Sequence, residues 1–389
     1  MPATDYQGSF LGRISIRRNQ VMSMEGNHEQ EIEDLEMFQK HVADRFADLL
    51  SPQPSEEAPA QTLCSISWIR KLLDVFLCCD AEFKAILIMG RDPSQIIKPP
   101  LDRLIPELLD RAVKALDICN AITNGIEAVK HYQKLAEIAV TALEQRPFGD
   151  GQVKRAKKAL NSLIAAMSCE DKDGNNYTRT WSFGRRGAAA TSTKCTGQLR
   201  SLSWSVGRNW SATKQIHAMS ANLVAPRGAE SSGLALQVYI MSTILVSVMW
   251  AMVATIPCQE RTGLATHFPV PKQLSWAHSM IALHEKIGEE WKKKEKKGSA
   301  GLLEEMQKLE KLGQSLIEFT DNFQFPAEDE RAEEVTAQVA EMAETCRRME
   351  EGLVPLQMQI REVFHRIVRS RAEFLDALDS TGKVSATAI

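Results

Sequence analysis

The stretch from Val335 to Leu378 reads VTAQVAEMAETCRRMEEGLVPLQMQIREVFHRIVRSRAEFLDAL. Its apolar residues are Val335, Val339, Met342, Cys346, Met349, Leu353, Leu356, Ile360, Val363, Ile367, Phe374 and Leu378. They follow alternating steps of four and three, with Arg371 the one break. That spacing lines one face of an α-helix and forms a heptad seam over about six repeats. Pro355 lies within it and predicts a kink or a helix break, because proline has no N–H to give to the preceding turn. A seam of this length has to be buried. It is either an intramolecular packing surface or a face for a partner, and Met349 and Ile360 are the candidate partner-face residues.

Working outward, the same period recurs. Leu35, Phe38, Val42, Phe46 and Leu49 line a helix beginning near Glu29, and Ser51-Pro52-Gln53-Pro54 ends it. Helices are predicted over about 63–89, 101–143, 153–167, 272–297 and 302–323, each bounded by Pro- or Gly-containing turns. No run alternates with period two, so a large sheet is not expected. The expected fold is all-α. It is a multi-helix bundle with long antiparallel coiled-coil-like helices, a disordered basic middle segment and one very apolar helix. The expected divisions are a flexible tail (1–28), a helical region (29–169), a basic Ser- and Trp-containing segment (170–230), an apolar helix (231–258), a second helical region (269–380) and a short tail (381–389).

Two of these divisions differ in kind from the rest. Between Gly174 and Ala229 there are eight basic residues and no acidic one, with Trp181, Trp204 and Trp210 set among them. Arg185, Arg186, Arg200 and Arg208 form a candidate contact for an anionic membrane surface. Ser182, Ser203 and Ser211 each follow an arginine by three residues, a basophilic-kinase pattern, and are candidate phosphosites. The second division has no charged residue from Ser231 to Gln259. Gly233 to Ile256 reads GLALQVYIMSTILVSVMWAMVATI, about the length that crosses a bilayer as a helix. Gly233, Tyr239, Trp250 and Ile256 mark this candidate membrane segment. A fully buried core helix has the same composition. Tyr239 and Trp250 are not at its ends, where an aromatic belt would place them.

The composition bounds the function. Hydrophobic residues make up 44% of the 389-residue chain, enough for a real core. The net charge of −3 argues against nucleic acid as a partner, because phosphate contacts need a cationic surplus. Eight scattered cysteines with no C-x-x-C suit a reducing compartment better than a disulfide framework. The expected location is cytoplasmic, membrane-associated, or both, with a single pass left open. There is no P-loop, no G-x-S-x-G and no H-E-x-x-H. His284-Glu285 lacks a second histidine one turn on, and His278 and His284 are six apart. No catalytic, cofactor-binding or metal-binding residue is assigned, and neither a cofactor nor a small-molecule substrate is expected.

Four blocks carry a family resemblance: Met1-Pro2-Ala3-Thr4-Asp5-Tyr6-Gln7-Gly8-Ser9, Ser203 to Ala212, Asn222 to Gly228, and Met249 to Gln259. Together they resemble the plant BYPASS and ROH proteins from end to end, with the N-terminus pointing to the ROH branch. The resemblance implies no known catalysis and no cofactor. It implies a protein partner, an exocyst subunit of the Exo-seventy class, and a role as an adaptor or negative regulator of polarised secretion. The BYPASS branch implies instead control of a mobile root-derived growth signal without exocyst contact.

Overall fold

The computed structural model describes residues 24–51, 62–88, 98–145, 149–168, 210–228, 233–258, 263–264, 270–295, 301–322 and 329–386. Among these residues there are nine α-helices, one short 3-10 turn and no strand. The helices are α1 (Met24–Leu50), α2 (Ile66–Ile88), α3 (Leu101–Glu144), α4 (Asp150–Ser168), α5 (Ala212–Ser220), α6 (Leu234–Thr255), α7 (His278–Glu295), α8 (Glu304–Asp321) and α9 (Asp329–Ala386). The all-α expectation holds.

The heptad seam forms α9, a helix of 58 residues that runs on through Pro355, so the helix break predicted there does not occur. Pro355 is half-exposed, next to the buried Leu353 and Leu356. The packing of those neighbours outweighs the local cost of one missing hydrogen bond. The helix predicted from 272 begins instead as a 3-10 turn at Ser275–Ala277 and becomes α-helical at His278.

Two helices organise the rest. The 44-residue α3 packs against α9, α4, α6 and α5. The charge-free α6 packs against α3, α2, α5 and α7. Buried residues from both sides of the basic segment belong to one continuous core, from Leu35 and Phe38 to Ile367 and Phe374. Phe83 shows the connection directly. Its ring centroid lies 6.5 Å from that of Phe38 in α1 and 6.0 Å from that of Phe374 in α9. Each fully buried Leu, Ile or Phe contributes about 1.5–3 kcal/mol, so the inward stripes of these helices hold the fold.

Remote residues satisfy several helix ends. The last carbonyls of α1 accept from the Trp68 indole (Leu49 O, 3.1 Å) and from Lys71 (Asp48 O, 3.0 Å). The Ile66 N–H at the start of α2 donates to the Glu305 carboxylate at 3.2 and 3.3 Å. The end of α6 is closed by backbone: Leu302 N–H donates to Ala254 O and Leu303 N–H to Thr255 O, both at 3.1 Å. Helix ends left without such partners would carry buried orphan groups.

Candidate interaction surfaces

The inward face of α9 rests between two helices, with polar contacts along both edges. Toward α3, which it meets antiparallel, Gln133 Nε2 donates to Cys346 O (3.3 Å) and Lys130 Nζ donates to Gln357 Oε1 (2.7 Å). Toward α2, which it meets parallel, Gln359 Nε2 donates to Arg70 O (2.9 Å), and Lys84 pairs with Glu373. Ser370 Oγ donates to Asp80 at 3.2 Å. Met349 and Ile360, the sequence-derived partner-face residues, are 0% and 1% exposed between these edges. A partner reaches them only by displacing α9 from its own chain.

The apolar segment is enclosed in the same way. α6 is the one helix among the described residues that is long and apolar enough to cross a membrane, and protein covers it on all sides. Every residue from Ala235 to Thr255 is buried, including Tyr239 and Trp250, and so is Ile256. Gly233 stands just before it with φ +70°, a left-handed conformation that suits glycine. Thr243 and Thr255 satisfy their hydroxyls inside the helix, donating to Tyr239 O and Ala251 O at 2.8 Å. The Trp250 ring stacks on His284 of α7, with centroids 3.6 Å apart. Gly125 of α3 lets the chain after α6 come close, for a Cβ there would overlap the Pro257 carbonyl oxygen.

The basic segment meets the described structure only at its far end. Arg185, Arg186, Arg200, Arg208, Ser182 and Ser203 lie outside the described residues. Ser211 lies inside them, 3% exposed, and its hydroxyl caps α5 by accepting from the Lys214 N–H at 3.1 Å. A kinase would reach it only after that cap opens. The other end of α5 is clamped by buried Arg111, which donates to Met219 O (3.0 Å) and Asn222 O (2.9 Å). Sequence reading missed this clamp, because an arginine within an apolar helix looks like an ordinary surface residue until the chain folds back to it.

The buried ionisable groups are occupied with structure. Glu82 is held by Arg45 at 2.7 Å and His41 at 2.5 Å. Burial pushes the Asp80 carboxyl up to about 6, against the opposing pull of Arg366, Lys84 and Ser370. Burial likewise raises Glu305 and pushes the Cys64, Cys79, Cys119 and Cys346 thiols up to about 12. Those four thiols stay protonated at neutral pH and are poor nucleophiles. Among the described residues no group of three or more His, Cys, Asp or Glu is placed to hold a metal.

The outer surfaces offer different chemistry. On α4, a shallow concavity is lined by Lys154, Lys157, Lys158, Asn161, Ser162 and Ala165. Lys154 pairs with Asp150 at 2.6 Å and Lys157 with Asp321 of α8 at 2.5 Å. On α9, Val354 and Met358 are 55% and 65% exposed.

Comparison with known proteins covers the whole chain. A family profile described as "Protein ROH1-like" matches residues 1–378. The chain is 63% identical to "Protein ROH1A" of Arabidopsis thaliana over 415 aligned residues, covering 100% of both proteins. It is 43% identical to "Protein ROH1D" of Arabidopsis thaliana over 402 residues, 97% of this chain and 98% of that protein. No solved structure matches.

Proposed function

The chain belongs to the ROH1-like family, and from that premise we propose that it is a non-enzymatic interaction protein, an adaptor that binds an exocyst subunit and restrains polarised secretion. The end-to-end match to the ROH1-like relatives is the observation that carries this reading. The structure supports it in kind. Its buried carboxylates Asp80, Glu82 and Glu305 tie helices together, and long helices present extended outer faces of the sort that other helices bind. Enclosure of α6 supports a body that meets membranes at its surface, with the basic residues between Gly174 and Ala229 as the cationic contact.

The test is direct binding of the purified full-length protein to a purified exocyst subunit of the Exo-seventy class, followed by titration calorimetry. Saturable binding with a Kd at or below about 10 μM is expected. No heat and no co-elution at concentrations about tenfold higher would contradict the adaptor reading. That result would favour the BYPASS-type role in growth signalling.

A further inference from the structure

The seam of α9 faces inward, but a second stripe with the same spacing faces out. Val354, Met358, Arg361, His365, Val368 and Ala372 follow steps of four, three, four, three and four, and all six are exposed. The three large apolar members are 55%, 65% and 42% exposed for Val354, Met358 and Val368. Scattered exposed apolar residues are normal on a soluble surface. Here three of them share one side of one helix, in heptad register, over about 21 Å.

The charge on and beside this stripe leans positive. Arg361 and Arg369 are exposed, with His365 between them and Glu362 the one exposed acid over that span. Farther back, Arg347 is already bound on both sides by Glu344 and Glu351, each at 2.6 Å. Pro355 adds a backbone feature on the same side. It has no N–H for the carbonyl of exposed Glu351, one turn earlier, which loosens the helix ladder beside the stripe.

We propose that this outward stripe is a docking face for an amphipathic helix of another protein, one with apolar knobs along its centre and carboxylates along its flanks. Val354, Met358 and Val368 pack against the knobs as in a two-helix coiled coil, and Arg361 and Arg369 select acidic over basic flanks. This rests on the reading of the chain as an interaction protein, and it places the contact on the side of α9 opposite Met349 and Ile360.

The experiment is site-specific photocrosslinking of the full-length protein in its own cells. A benzoylphenylalanine replaces Met358, a control replaces Lys158 on α4, and crosslinked peptides are identified by mass spectrometry. The expected result is crosslinking at position 358 to a helical, acid-flanked segment of another protein, with none of that product from the control. R361E combined with R369E should cut its yield by about tenfold, with the thermal midpoint unchanged. Products that are only lipid, only a second copy of this chain, or absent would overturn the proposal. Exocyst-subunit binding without a product at 358 overturns the stripe and leaves the adaptor reading standing. An acid-flanked helix from a protein outside the exocyst upholds the stripe and counts against that reading.

Discussion

Helices α6 and α9 both carry long apolar runs, and they are buried in opposite ways. α9 hides one stripe and shows the other, with buried Met349, Leu353, Leu356 and Ile360 alternating with exposed Val354, Met358 and Arg361. α6 hides every side from Ala235 to Thr255. The period of α9 states which face goes inside. α6 has no period, because all of its faces go inside. A bilayer and a protein core ask the same of such a helix: satisfied backbone bonds and apolar side chains. Only its neighbours decide, here Gly125, Leu302, Leu303 and His284.

The contrast is broken most severely by charge. Ile244 is 0% exposed at the middle of α6. Ile244→Asp puts an unpaired carboxylate in the core, at a cost of several kcal/mol, comparable with the whole stability of a typical domain of about 5–15 kcal/mol. Circular dichroism should show no cooperative melt. The same change on the outer face of α9, Val368→Asp, should leave the melt within a few degrees of wild type. Cooperative, wild-type-like melting of the α6 variant would mean that its surroundings are not as described.

A smaller effect sharpens the two faces of α9 against each other. Ile360→Ala deletes buried methylenes and should cost about 2–5 kcal/mol in urea unfolding. Met358→Ala, two residues away on the outer side, should change stability by no more than about 0.5 kcal/mol. Equal losses would mean that the outward stripe is also part of the core.

The smallest effect tests the α2 edge of α9 through pH. An unfolded Asp ionises near 3.8, whereas the buried Asp80 carboxyl ionises near 6. Between those values the folded chain keeps a proton that the unfolded chain has lost. The resulting stability is fully present below the lower value and is lost as pH rises through the upper one. Asp80→Asn cannot ionise and still offers Ser370 an acceptor. Its stability relative to wild type should rise by roughly 1–3 kcal/mol from about pH 4 to about pH 8. A difference that stays flat with pH would assign the carboxyl an exposed, ordinary environment.

Much of this was legible in the residues. Steps of three and four located the long helices, and Pro and Gly marked their ends. The short α5 was not, because nine residues of mixed character carry no period. It exists through Ser211 at one end and Arg111, about a hundred residues away in sequence, at the other. Continuation through Pro355 was likewise a tertiary outcome. The heptad pattern found the face of α9 that must be covered, but not what covers it. Met349 and Ile360 meet the chain's own α2 and α3 side, and the outward stripe went unread because two valines and a methionine among arginines and glutamates look like background. Glu305 at the start of α2 and Asp80 beneath Ser370 join residues more than two hundred positions apart, which no local pattern can reveal.

α6 is the inner helix of the bundle, and extraction from membranes tests that most directly. Membranes from cells expressing the full-length protein are washed first with high salt and then with alkaline carbonate. Protein held only by its basic surface should be released by salt, joining a fraction already soluble without detergent. Retention through both washes, with release only by detergent, would place α6 in the bilayer and contradict the enclosed core.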